Sequence, residues 1–395
     1  MYIRVLLLII VCLCLLPAPT VAAQGRLPSP AIVVLKVEGK IEYEREGWIN
    51  YQPLLPGALI SPADLIYPHR ATLLVLCPDG STHEFLQSEL LPNAAVNCPA
   101  RPSAYVVGDS GTRRLNIRRG GRQDPSIPYL IAPRATVVRT PQVELRWNQV
   151  QNVQAYRLTV RGGGQLWESR DLTPSDVVRG NVARIKLPIA LHEQTPYTVQ
   201  ICVLYRDMNR HCTTDPDWST DDNLAFYYLP TPALDKAEQQ VIGTLGADTP
   251  ESFYARAVLL SQPVYPLSQT DSIGLYDEAI LLLERIKVEH AKSALASSPG
   301  LYNLLGELYR DIGLPVSAAQ NFGIASALAE PGTEAAAGAA LGRAMTRSDG
   351  DAVIGFYNEA LDHYARFLNQ EAFKKRLAAV CQQIGDLRFD VDRCH

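Results

Sequence analysis

Beyond its N-terminal segment the sequence has no apolar run long enough to cross a membrane as a helix, which takes about 20 residues. It has no Cys-x-x-Cys pair, and its seven histidines are scattered, so the usual zinc frameworks are not expected. No glycine-rich loop ends in the Lys-Ser or Lys-Thr that cradles a phosphate; Gly162-Gly163-Gly164 lacks both. Charge of either sign is in short supply as well. Thirty-seven Lys and Arg against 41 Asp and Glu leave −4, with a pI near 6.0. No global field draws the chain to nucleic acid or to an anionic membrane. These absences set aside nucleic-acid binding, metal and other cofactors, and nucleotide chemistry.

What the chain does have begins with a leader. Arg4 supplies a positive start, residues 5–16 form a short apolar core, and Thr20-Val21-Ala22-Ala23 offers small residues for cleavage before Gln24. An extracytoplasmic, cell-envelope destination follows, periplasmic or secreted, with no transmembrane helix once residues 1–23 are removed. Val11 and Leu13 stand before Cys12 and Cys14, where a lipid-attachment site calls for a small residue. The other six cysteines fall into local pairs: Cys77 with Cys98, Cys202 with Cys212, and Cys381 with Cys394. Six cysteines allow fifteen connectivities, but near-neighbour pairing puts one bridge in each part of the chain. Such bridges persist in an oxidising compartment; the alternative is six small buried hydrophobes.

A chain of 395 residues suggests two to four domains of roughly 100 to 200 residues each. Residues 31–98 hold short β-rich runs, Ile32-Val33-Val34-Leu35, Ala71-Thr72-Leu73-Leu74-Val75-Leu76 and 82–86. Asp79-Gly80 between the last two is a hairpin signal, because both central residues tolerate positive φ. The order Val37-Glu38-Gly39-Lys40-Ile41, Trp48, Leu55-Pro56-Gly57, Asp64-Leu65-Ile66 and Asp79-Gly80-Ser81 resembles a FecR-like domain. Ala63 stands where that family usually has glycine, so the turn there is expected to differ. Residues 99–128 read as an Arg/Gly/Pro linker.

Residues 129–230 form a second β module. Val143, Leu145 and Trp147 recur every second residue, as do Tyr156, Leu158 and Val160, and then Tyr197, Val199, Ile201, Val203 and Tyr205. With turns at Gly162-Gly163-Gly164 and Arg179-Gly180, the alternation predicts a β-sandwich. Its Pro141-x-Val143-x-Leu145-x-Trp147 opening and Tyr197 strand resemble a fibronectin type III-like domain. After Pro230-Thr231-Pro232 the period becomes 3.6, and residues 233–386 read as helical, with a tail at 387–395. Tyr302-x-x-Leu305-Gly306-x-x-Tyr309, then Gly313, Ala318, Phe322, Ala325 and Pro331, resembles one tetratricopeptide repeat of 34 residues, its closing proline one position late. Small Gly306, Ala318 and Ala325 let paired helices approach, while Tyr302, Tyr309 and Phe322 fill the gap. Degenerate copies are expected at 251–260 with 276–286, and at Leu341-Gly342 with 356–360, before a capping helix at 371–384. The fold class is therefore multidomain β plus α: two small antiparallel β modules followed by an all-α helical-repeat domain.

Few strings suggest chemistry. Gly108-Asp109-Ser110-Gly111 resembles the serine-nucleophile segment of chymotrypsin-like proteases, but that family needs a histidine and an aspartate from a preceding barrel. Only His69 and His83 lie upstream, and Thr112 replaces the next glycine. Asp215, Asp217, Asp221 and Asp222 crowd one stretch but break calcium-loop spacing at Pro216, Thr220 and Phe226. Arg113, Arg114, Arg118, Arg119 and Arg122 are candidate anion ligands for a cell-surface glycan, although arginines in such a linker are commonly just solvated. Aromatic residues of the repeats lie at core spacing. Asn303, Glu307 and Arg310, on the other helix face, are the candidate groove surface, because stacked repeats form a concave binding face.

The chain is thus expected to be an exported non-enzymatic binding or scaffold protein that holds a protein or peptide partner on its repeats. A FecR-like envelope sensor is the alternative, against which stands the mere three residues before Arg4; a secreted hydrolase is a third reading. N-terminal sequencing of the mature protein should begin at Gln24, and a start at Met1 would show the leader retained as an anchor.

Overall fold

The computed structural model describes residues 32–86, 89–90, 94–96, 98, 123, 125–206, 210–212, 224–262, 264–266, 272–347 and 349–386. The leader, Arg113, Arg114, Arg118, Arg119 and Arg122, the string at 108–111, the aspartates at 215–222, Cys394 and the tail lie outside these residues. Among those described, largely antiparallel sheets occupy the N-terminal half and helices the C-terminal half, the β-then-α order expected. No helix among them is long and apolar enough to span a membrane.

In the first β module, β1 (Ile32–Glu44) pairs antiparallel with β4 (Leu65–Leu76) along nearly their whole lengths. The short strands β2 (Gln52–Pro53) and β3 (Leu59–Ile60) flank β1, while β5 (Thr82–Phe85) and β6 (Ala94–Ala95) flank β4. In the β4–β5 hairpin only Gly80 takes a positive φ, 81°, and Asp79 instead turns the chain by accepting the Ser81 N–H at 2.9 Å. Ala63 needs no left-handed backbone; Asp64 closes its own turn by accepting the Ser61 N–H at 2.9 Å. Cys77 and Cys98 are disulfide-bonded, tying the end of β4 to the segment that leaves the module.

The second module is a sandwich. One sheet runs β11 (Gln165–Glu168), β10 (Val153–Gly162), β14 (Thr195–Tyr205), β16 (Leu224–Tyr228), β8 (Thr136–Val138), with β15 (Arg210–Cys212) also on β14. The other runs β12 (Val178–Arg179), β13 (Val182–Lys186), β9 (Glu144–Asn148), β7 (Leu130–Ala132). Between them lie the alternating residues read from the sequence, with Trp147, Tyr156, Leu158, Tyr197, Ile201 and Val203 all fully buried. A one-turn helix, α1 (Pro174–Val177), bridges the sheets, and the Cys202–Cys212 disulfide staples β14 to β15.

Among the described residues eight further α-helices follow: α2 (Pro232–Leu245), α3 (Pro250–Ser261), α4 (Tyr276–Glu289), α5 (Pro299–Asp311), α6 (Pro315–Leu328), α7 (Glu334–Met345), α8 (Gly350–Phe367) and α9 (Gln370–Asp386). A short strand pair, β17 (Tyr265–Pro266) with β18 (Ser272–Ile273), sits in the loop between α3 and α4. Side-chain caps set the starts: Thr249, Ser298, Thr333 and Asp349 each accept an otherwise orphaned N–H of the first turn. Cys381, on α9, is also disulfide-bonded.

Close packing of α5, α6 and α7 depends on one ring. A Cβ added at Gly306 would lie 2.7 Å from Phe322, and one added at Gly342 only 2.3 Å from it. Phe322 of α6 is therefore held between two glycines, one on each neighbouring helix. Leu341-Gly342, read as an echo of Leu305-Gly306, serves the same close approach. Gly342→Ala should overpack this contact and lower stability by roughly 1 to 3 kcal/mol in chemical denaturation, while Gly355→Ala, where a Cβ meets nothing within 4 Å, should not destabilise.

Candidate functional site

The strands β1 and β4 have two buried faces. Ile32 and Val34 point into the module's own core, whereas Val33 and Leu35 join the core of α3, α4 and α5. On β4, Leu73 and Val75 go inward, and Leu76 goes to the helices. The period of two delivers alternate side chains to two different cores, which explains why Ile32-Val33-Val34-Leu35 is apolar without interruption.

Polar contacts fix the same joint. In the Leu55-Pro56-Gly57 turn, the Pro56 carbonyl accepts from the Ser298 hydroxyl, and the Gly57 carbonyl accepts from the Tyr254 hydroxyl at 3.1 Å. Gly57 has φ of 84°, and a Cβ on Gly300 would come 2.5 Å from the Gly57 oxygen. Farther along, Trp48 packs edge-on against Phe367 with centroids 5.4 Å apart, and the Asn369 N–H donates to the Gly47 carbonyl at 2.7 Å. Arg45 joins buried Asp64, at 2.8 Å, to Glu334 at the start of α7, at 2.5 Å. Burial opposes the charge of Arg45, but hydrogen bonding to Asp64 and the Glu334 carboxylate outweigh it and hold the guanidinium above its ordinary value.

The second module grips the helices through β8 and β16. Val137 and Tyr227 enter the helical core while Phe226 and Tyr228 face the sandwich. Around them, Arg139 reaches Asp235 at 2.7 Å, Glu278 at 2.6 Å and buried Glu238, which also accepts from Arg256 at 3.0 Å. Arg134 donates its Nε–H to the Ile312 carbonyl at 2.6 Å and its backbone N–H to Asp277 at 3.0 Å. Burial lowers the Arg134 guanidinium to about 10. Burial also raises the Asp277 carboxyl to about 7, against the pull of Arg146 and Arg134. None of Arg45, Arg139 or Asp277 stood out in the sequence, because their partners are distant; Arg139 and Glu278 are 139 positions apart.

The candidate groove residues lie together on α5, and all three are half-buried. Asn303 donates its side-chain N–H to the Ala335 carbonyl of α7 at 3.2 Å, leaving its Oδ1 without a donor. Arg310 binds Asp311 at 3.2 Å and contacts the Met345 sulfur at 3.6 Å. Glu307 makes no hydrogen bond or ion pair to any described residue, and burial raises its carboxyl to about 7 while Arg310 opposes the rise. The expected core aromatics divide: Phe322, Tyr357, Tyr364 and Phe367 are buried, while Tyr302, Tyr309 and Phe356 pack half-buried at the edges. Among the described residues no group of three or more His, Cys, Asp or Glu side chains is placed to hold a metal.

No family model matches this chain, and neither does any curated protein. Among solved structures, astrotactin-2, described as a conserved vertebrate-specific and perforin-like membrane protein involved in neuronal development, is similar at 10% identity and a TM-score of 0.18. The match covers 55% of this chain and 38% of that one, and likeness at that level carries no argument.

Asp277 gives the interface a pH dependence. Its folded pKa of about 7 lies above the ordinary carboxyl value near 4, so the folded state binds the proton more tightly than the unfolded chain. The contribution of Asp277 to stability should be fully present below about pH 4 and be lost as pH rises through 7, by an amount on the order of a few kcal/mol. Because Glu307 is raised to the same value, denaturant midpoints measured from pH 4 to 8 should fall less steeply in Asp277→Asn than in the parent, without losing the slope entirely.

Proposed function

We propose that this is an exported, non-enzymatic binding and scaffold protein of the cell envelope, holding a protein or peptide partner on its helical repeats. The observation that carries the reading is the polar face of α5. Both β modules are built into the helical core, so the repeats have a fixed frame. Within that frame Asn303, Glu307 and Arg310 stand half-buried on one face of the helix. Half-exposed polar side chains on a rigidly held helix suit a partner that brings complementary polar groups. The Cys77–Cys98 and Cys202–Cys212 disulfides support an oxidising destination. The three-module reading, FecR-like, fibronectin type III-like and tetratricopeptide-like, belongs to the same proposal and rests on the motifs quoted above.

Photo-cross-linking in the native envelope tests it. A photoreactive residue at position 311, on the α5 face, should yield a discrete protein adduct identifiable by mass spectrometry, and one at the highly exposed Val288 should not. Recovery of glycan alone, or equal yields from both positions, counts against binding through the repeats.

A further inference from the structure

Two disulfides of this protein stand in contrasting surroundings. Cys77 is buried in the core of the first module, and Cys98 packs against that same core. Cys202 and Cys212 instead face each other across a sheet edge, as register partners flanked by Val203 with His211 and Leu204 with Arg210. Among the described residues β15 pairs with β14 and with no other strand. Cys202 is almost fully buried, on a strand that also pairs with β10. Cys212 is half-buried, next to exposed Arg210 and His211. One half of the bridge therefore belongs to the interior of the sheet and the other to its accessible rim.

A cation separates the two sulfurs further. The Arg210 guanidinium donates from Nη2 to the Cys202 Sγ at 3.1 Å. When a thiolate opens a disulfide, the attacked sulfur passes into a mixed disulfide and the other departs as a thiolate; the more stable the departing thiolate, the faster the step. A neighbouring arginine stabilises a thiolate, whereas apolar burial opposes it. At Cys202 both act, and the guanidinium in direct contact offsets the burial. Attack at Cys212 is thus favoured twice, by access and by the group it expels.

We propose that the Cys202–Cys212 bridge is a site of thiol–disulfide exchange with a dithiol reductant. One thiolate of the dithiol attacks the Cys212 Sγ, the Cys202–Cys212 bond breaks, and its electron pair leaves on Cys202 as a thiolate beside Arg210. The second thiol of the reductant then attacks the mixed disulfide and releases Cys212. The reductant departs oxidised to its own disulfide, and its two protons end on the two cysteines. With the bridge open, β15 keeps only a ladder of three residue pairs to β14, and so short a strand is marginal without a covalent tie. Its release uncovers the backbone edge of β14 at residues 202–204, a surface able to pair with another strand. None of this depends on α5 receiving a partner.

The test uses the full chain with its bridges formed. Dithiothreitol is the probe dithiol under native conditions at about pH 7; free thiols are blocked with N-ethylmaleimide at intervals, and the labelled peptides are assigned by mass spectrometry. Cys202 and Cys212 should become labelled at least about tenfold sooner than Cys77 and Cys98. A monothiol, glutathione, should leave its adduct on Cys212 and not on Cys202. Arg210 is exposed, so its replacement spares the fold. Arg210→Gln should slow the opening of this bridge by roughly threefold to tenfold, Arg210→Lys should keep most of the rate, and neither should alter the rate at Cys77 and Cys98. In denaturant, where the Arg210 contact is lost, the parent and Arg210→Gln should react alike. Equal rates for the two bridges or an adduct on Cys202 overturns the proposal. So does an Arg210→Gln rate equal to the parent's, an Arg210→Lys rate no faster than that of Arg210→Gln, or a difference that persists in the unfolded chain.

Discussion

The joining of the β modules to the helices depends on strand segments that are covered on both faces, such as residues 32–35. Where β1 and β4 leave the first module and β8 and β16 leave the second, successive side chains alternate between a module's own core and the helical core. At about 25 cal/mol per Å² of apolar surface, such burial supplies the main force holding the modules together. The polar contacts then choose the register: Gly57 against Gly300, Trp48 against Phe367, Arg139 among three carboxylates. A shift of one residue would turn each strand's two faces over, so the joints are specified as tightly as the sheets themselves.

That arrangement gives the C-terminal helices a different environment from the free-standing stack expected from their sequence. The helix α3 is buried along most of its length, and α7 lends Ala337 and Ala340 to the first module's core. The protein's own β modules are thus the first occupants of the helical surface. On α5 the residues Asn303, Glu307 and Arg310 stay half-buried, and the surface there is polar. Glycine and alanine on α7 keep the two helices close, which leaves Asn303 room to reach the Ala335 carbonyl of that helix.

Much of the fold was legible in the sequence because its signals are local. Alternation gave the sandwich strands, the 3.6-residue period gave the paired helices, and Leu305-Gly306 with Leu341-Gly342 marked where helices touch. The near-neighbour cysteine pairing was legible for the same reason, in two bridges with separations of 21 and 10. The joints were not. Arg45 with Glu334 and Arg139 with Glu278 are pairings across hundreds or scores of residues, with no spacing rule to announce them. The run Ile32-Val33-Val34-Leu35 did carry a hint, since an unbroken apolar strand implies two covered faces, but it does not say what covers the second. At α5, residue type and helix position were enough to bring Asn303, Glu307 and Arg310 onto one face. Which of them is left without a partner depends on Asp311, Met345 and Ala335, and only the three-dimensional arrangement shows that.

The doubly buried first strand also imposes an order on how the chain is made. Val33 and Leu35 emerge from the ribosome long before α3; the Gly57–Tyr254 contact spans 197 positions, and the Tyr43–Glu334 contact spans 291. The first module can pair its strands early but cannot cover its second face until most of the polypeptide exists. Contacts of such high sequence separation are slow to form, and uncovered strand faces invite association with other chains. During synthesis the protein therefore passes through a long interval in which its first β module is complete in sequence yet unfinished as a surface, and depends on remaining apart from its neighbours until the helices arrive.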